Sequence, residues 1–133
     1  MKVESYVGSY NADFFEDKSF YDEVKELENQ FFVIDNSVFN LYRSEMEELI
    51  NGKPCYLVDA TEENKSINKV LQIMDELVKL PSRRNTNLIA IGGGIIQDIS
   101  AFTANVMYRG IPWVFIPTTL LAQTDSCIGV KPR

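Results

Sequence analysis

Four short apolar runs punctuate this chain: "FFVID" at 31–35, "CYLVDA" at 55–60, "NLIAI" at 87–91 and "PWVFIPTT" at 112–119. Each is too short to be a buried helix, and the runs are close to continuously apolar rather than alternating. That is the pattern of strands covered on both faces. Between them lie segments with helical spacing. "SVFNLYRSEMEELIN" reads as a helix, as do "NKSINKVLQIMDELVKL" and "IIQDISAFTANVMYR". In the second of these, Ile67, Val70, Leu71, Met74, Leu77 and Val78 are expected on one face, and Pro81 with the polar "SRRNT" ends it. Strands alternating with amphipathic helices predict an α/β fold, a Rossmann-like parallel sheet with helices on both faces. Ahead of this unit, residues 2–16 read as a strand or hairpin, and "SFYDEVKELENQ" as a short helix with Ser19 as its N-cap.

In parallel sheets, ligands sit beyond the carboxyl ends of the strands. The segments leaving the four runs are "VIDNS", "VDATEEN", "IGGGIIQD" and "IPTTLLAQTD". All four are rich in Gly, Asp or Thr, and a parallel sheet brings them to one edge. "IGGGIIQD" is the most unusual, because three glycines occupy a strand-to-helix junction. A backbone without Cβ atoms can approach a ligand closely, and the helix that follows offers free N–H groups and a positive dipole end. Together these suit a pyrophosphate. A tight turn with no ligand explains the glycines equally well, and the motif is not G-x-G-x-x-G, since Gln97 stands three residues after Gly94.

The other polar residues are also open to two readings. Asp98, in the first turn of its helix, complements the dipole or bonds a ribose or amide. Glu62 and Lys65, at i and i+3, form a surface ion pair or grip the hydroxyls of a ribose. Thr118 and Thr119 cap the next helix or meet a ligand. Asp125 and Lys131 are loop charges or ligand contacts. Arg109, ahead of Gly110 as C-cap, is a helix-terminal cation or a phosphate fork.

Composition excludes several classes. The chain has 133 residues, about one domain's worth. No apolar run reaches the ~18 residues needed to cross a bilayer, and no signal peptide is expected. Net charge is −6, which argues against a nucleic-acid surface. With only Cys55 and Cys127, no disulfide framework is expected and a cytoplasmic location fits. There is no histidine, which removes His-based triads and the commonest metal ligand.

Taken together, "GGGIIQDISAFTANVMYRGIPWVFIPTTLLAQTDSCIGVK" resembles the hallmark block of the sugar phosphate cyclases, and within them the 3-dehydroquinate synthase group. "TEENKS" is similar to that family's Gly-Glu-x-x-Lys-Ser element and "FFVIDNSV" to its early strand. The resemblance implies an NAD-binding N-terminal domain, residues 1–133, of a two-domain homodimeric enzyme. Asp35, Glu62 and Lys65 would then hold the adenosine end of NAD, and Gly93 and Gly94 the pyrophosphate. Asp98, Thr118 and Thr119 would order the nicotinamide half. Asp125 would meet cofactor and substrate, and Lys131 the substrate's anionic groups. Arg109 would reach the phosphate of the neighbouring subunit's substrate.

The implied reaction belongs to the shikimate pathway of aromatic amino acid biosynthesis. It carries 3-deoxy-D-arabino-heptulosonate 7-phosphate through transient oxidation, phosphate elimination, re-reduction and an aldol closure to a carbocycle. The divalent metal, zinc or cobalt, is held in this family by one Glu and two His of a C-terminal helical domain. None of those ligands is expected in this chain, and no activity is expected of it alone. Departures from the pattern are Thr61, Gln97 and Val130 where Gly is usual, and Cys127 where Ser is usual. They leave 2-deoxy-scyllo-inosose and 2-epi-5-epi-valiolone synthases as alternatives. Iron-type alcohol and glycerol dehydrogenases share the Gly-rich loop and Pro-Thr-Thr but continue with small residues rather than "LLAQTDS". A non-catalytic nucleotide-binding module is the remaining alternative.

Overall fold

A computed structural model of the chain describes residues 2–5, 8–11 and 20–118. Two strands, β1 (Lys2–Ser5) and β2 (Gly8–Asn11), pair antiparallel as a hairpin. The helix α1 (Phe20–Lys25) follows; the expected cap Ser19 lies outside the described residues. The main unit then alternates: β3 (Gln30–Asp35), α2 (Asn36–Leu41), α3 (Arg43–Ile50), β4 (Cys55–Val58), α4 (Ile67–Leu77), β5 (Asn87–Gly92), α5 (Gly94–Val106) and β6 (Trp113–Pro117). These four strands form one parallel sheet in the order β4-β3-β5-β6. The fold is the expected Rossmann-like α/β unit.

For β3 and β5 the continuous apolar runs are explained by burial on both faces, whereas the edge strand β4, expected to be buried as well, leaves Cys55 and Leu57 exposed on one face. Phe32, Ile34, Ile89 and Ile91 join Val38, Met46 and Leu49 in one cluster under α2 and α3. Phe31, Val33, Leu88 and Ala90, one step along in each strand, join Val70, Ile73, Leu77, Ile96 and Ile99 under α4 and α5. The period of two sends neighbours to opposite faces, and a helix layer waits on each.

Three local details differ from the sequence reading. The segment expected as one helix breaks at Tyr42, whose φ of −119° and ψ of 42° leave the helical region. The α4 face is rotated: Val70, Ile73 and Leu77 are buried, whereas Ile67, Leu71 and Val78 are 58%, 50% and 57% exposed. Gly110 does not cap α5 itself. The helix ends at Val106, and a 3-10 turn, Met107–Arg109, intervenes. The Gly110 N–H then bonds to the Met107 carbonyl at 2.7 Å, with φ of 116°, a conformation that favours glycine.

Between β3 and β5 the connections diverge. The chain leaves β3 over α2 and α3 to β4 on one side, and leaves β5 over α5 to β6 on the other. The carboxyl ends of β3 and β5 therefore border a topological switch point, where α/β sheets bind ligands. The register puts Ile34 opposite Ile91, Asp35 opposite Val58 and Gly92 opposite Pro117. Asp35 and Gly92 are thus the last residues of the two central strands.

Candidate functional site

The three glycines divide into two kinds. A Cβ on Gly92 would stand 2.7 Å from Ile96 Cγ1 and 3.1 Å from Asp35 Cβ. Gly92 is therefore required by the packing of β5 against the first turn of α5 and the end of β3. Gly93 and Gly94 are different. A Cβ on either would meet no described residue within 4 Å, and Gly93 has an ordinary φ of −103°. Among the described residues, no packing demands glycine at these two positions, so they leave the space before them open to a ligand.

Gly93 is the N-cap of α5, and its carbonyl accepts the Gln97 N–H at 3.0 Å. The N–H groups of the first helical residues precede any intrahelical acceptor and face the carboxyl edge of the sheet. Next to this turn, Asp35 caps α2: its Oδ1 accepts the Ser37 N–H at 2.8 Å. The cap explains why a helix begins directly after β3.

On the other side of Asp35 stands the segment that follows β4. Glu62 opens a 3-10 turn, Glu62–Asn64, and Ser66 caps α4 by accepting the Lys69 N–H at 3.2 Å. Glu62 and Lys65 do not form the surface pair that their spacing suggests. Lys65 Nζ instead reaches Asp98 Oδ2 at 2.9 Å, joining this segment to α5. The Asp98 carboxylate holds the Lys65 ammonium above its ordinary pKa, by its hydrogen bond and then by its charge, with Glu62 adding a smaller pull. Asp98 is the fifth residue of α5, past the first turn, so its partner is this lysine rather than the helix terminus.

Asp35, Glu62, Lys65, Gly93, Gly94 and Asp98 thus share the carboxyl edge, and Thr118 directly follows β6 there. Arg109 does not join them. It precedes β6, after α5 has run back to the amino edge, and it is exposed. Tyr108, Arg109 and Gly110 have φ of 50°, 66° and 116°, a tight left-handed turn. Thr119, Asp125 and Lys131 lie outside the described residues. Among the described residues, no group of three or more His, Cys, Asp or Glu stands close enough to hold a metal ion.

Sequence reasoning passed over three residues. Asn36, Asp59 and Asn64 knit the segments after β3 and β4 together: Asn36 Nδ2 donates to Asp59 Oδ1 at 3.1 Å, and Asn64 Nδ2 to the Asp59 carbonyl at 2.7 Å. Their positions immediately after two strand runs were the available signal. A hollow of about 350 Å³ elsewhere, lined by Phe39, Glu47, Ile50, Gly52, Cys55 and Leu57, runs beside edge strand β4 and contains none of the candidate residues.

The chain is 36% identical over 118 residues to the 3-dehydroquinate synthase of Clostridium tetani, an alignment covering 86% of this chain and 31% of that protein. It spans about a third of the length of such relatives. Among solved structures, a 2-deoxy-scyllo-inosose synthase matches 95% of the chain and 38% of its own at a TM-score of 0.72 and 22% identity, a likeness of fold. The 2-epi-5-epi-valiolone synthase of Streptomyces hygroscopicus subsp. jinggangensis 5008, solved with NAD+ and Zn2+ bound, matches 74% of the chain and 29% of its own at a TM-score of 0.58 and 32% identity. The sequence model for the 3-dehydroquinate synthase N-terminal family matches residues 55–133, which take in β4, β5, α5 and the glycine turn, and the chain belongs to that family.

Proposed function

We propose that this chain is the NAD-binding part of a 3-dehydroquinate synthase that converts 3-deoxy-D-arabino-heptulosonate 7-phosphate, a sugar phosphate, to a carbocycle. The observation that carries the reading is the pair of glycines, Gly93 and Gly94. They open the N-terminus of α5 at the switch point, with no packing reason among the described residues to lack side chains. The fit to a dinucleotide is good. Backbone N–H groups at Gly94, Ile95 and Ile96 suit a pyrophosphate. Asp35 and Glu62 offer acceptors for ribose hydroxyls, and Lys65 a donor. Asp98 and Thr118, with Thr119, are assigned to the nicotinamide half by their motif. Bound there, NAD supplies a hydride acceptor for transient oxidation of the substrate.

Among the described residues, none group together to fit the divalent metal. We assign zinc or cobalt to the part of the relatives that this chain does not span, on a second, helical domain, with residues 1–133 forming the nucleotide-binding domain. Arg109 lies at the far edge from the glycine turn. Its place suits contact with the substrate phosphate of a neighbouring copy, and hence a homodimer. Asp125 and Lys131 follow β6 in sequence and are assigned to cofactor and substrate by their motif. Asp125 would orient both, and Lys131 would bind anionic oxygens of the substrate. The setting is the cytoplasmic shikimate pathway.

The test is calorimetry with NAD on wild type and Gly93→Val. The open space at Gly93 means that the variant folds, while its branched side chain blocks the turn. Binding falls below detection in the variant; unchanged affinity rules out the glycine turn as the site.

A further inference from the structure

The segment that carries Glu62 and Lys65 has little packing to hold it. From Asp59 to Ser66 no side chain is buried, and only Ala60 leans on the apolar core. Its order comes from polar ties, three of them centred on Asp59. The Asp59 carbonyl accepts both the Thr61 N–H at 2.9 Å and Asn64 Nδ2 at 2.7 Å. The Asp59 carboxylate reaches the other way, where Oδ1 accepts Asn36 Nδ2 at 3.1 Å. Asn36 is the first residue of α2 and follows Asp35 directly. At the far end of the segment, Lys65 is tied to Asp98. The segment is therefore a strap fixed at two points, to α2 through Asp59 and to α5 through Lys65.

We propose that Asp59 is a positioning residue for the adenosine end of the dinucleotide, an inference that rests on the NAD reading above. The vicinal hydroxyls of a ribose require an acceptor and a donor at fixed spacing, which Glu62 and Lys65 supply only if the strap is held. Asp35 would contact the same nucleoside half, so its position relative to the strap matters equally. Asp59 sets that relation by joining the strap to the residue next to Asp35. An unanchored strap orders itself at the expense of binding affinity. Asp59 acts through the strap and touches no ligand atom itself.

Ligand-observed NMR on the 133-residue chain tests this with two probes. ADP engages the adenosine end, and nicotinamide mononucleotide engages the other half. Asp59→Ala and Asn36→Ala each weaken ADP binding about tenfold and leave nicotinamide mononucleotide unchanged. Asp59→Asn retains an oxygen to accept from Asn36 and stays within about twofold of wild type. If Asp59→Ala fails to fold, Asn36→Ala, which removes the donor from α2, carries the test. Three results overturn the proposal. In the first, ADP binds these variants as it binds wild type. In the second, both probes weaken equally, which marks a general structural loss. In the third, Asp59→Asn is as damaged as Asp59→Ala, which marks a charge contact with the ligand. A wild-type chain that binds ADP, nicotinamide mononucleotide and NAD not at all removes the dinucleotide reading and this proposal with it.

Discussion

Gly92 and Gly93 are neighbours with opposite requirements, and substitution separates them. Alanine at Gly92 places a methyl 2.7 Å from Ile96 Cγ1 and 3.1 Å from Asp35 Cβ. Both neighbours are fixed, Ile96 by full burial and Asp35 by its cap on α2. Gly92→Ala therefore lowers stability by about 1–3 kcal/mol, the range for overpacking. Gly93→Ala meets none of the described residues, at an ordinary φ, and stays within about 0.5 kcal/mol of wild type. Urea unfolding midpoints of the two variants check this, and equal midpoints contradict it. The three glycines were legible from sequence as a feature, but their division was not. It depends on how closely α5 crosses the end of β3, which is a tertiary fact. Lys65 teaches the same lesson. Its spacing pointed to Glu62, whereas the fold offered Asp98, a carboxylate on a different element.

At the level of elements, the strands were legible because continuous apolar runs have few alternatives in a chain of this composition. Their order and the switch point follow from which connections cross which strand, and apolar periodicity does not encode that. Helix α4 shows the limit most clearly. Its sequence offers two overlapping apolar stripes, and contact with the sheet and α5 selects the one containing Val70, Ile73 and Leu77. Leu71 lies on the stripe left exposed. Ile73→Ala therefore costs about 2–5 kcal/mol through the cavity it leaves, and Leu71→Ala stays within about 0.5 kcal/mol. Comparable losses at both positions, read from denaturant midpoints, contradict the observed rotation of the helix. The α2–α3 break was hidden for a related reason. The residues on both sides of Tyr42 are acceptable helix formers, and the chain turns there to keep Val38 and Met46 under the same face of the sheet.

Among the described residues, the candidates gather on one edge of one sheet, except Arg109, which lies at the other. It spans about a third of its relatives, and its described residues contain no metal-binding group. The expected outcome is that the chain alone releases no phosphate from 3-deoxy-D-arabino-heptulosonate 7-phosphate in the presence of NAD and zinc. A metal contributes several kcal/mol toward polarising a hydroxyl, and anion binding by Arg109 or Lys131 does not replace it. Phosphate release above a no-protein control, and abolished by Asp125→Asn, contradicts this. The claim on which everything else rests is that a dinucleotide lies across the carboxyl edge at the glycine turn. Amide chemical-shift mapping of the labelled chain during titration with NAD tests it most directly. The account predicts that the largest shifts cluster at Gly93 to Ile96, with smaller ones at Asp35, Asn36 and Lys65. Shifts confined to the hollow beside β4, around Cys55 and Leu57, or no saturable shifts at all, contradict it.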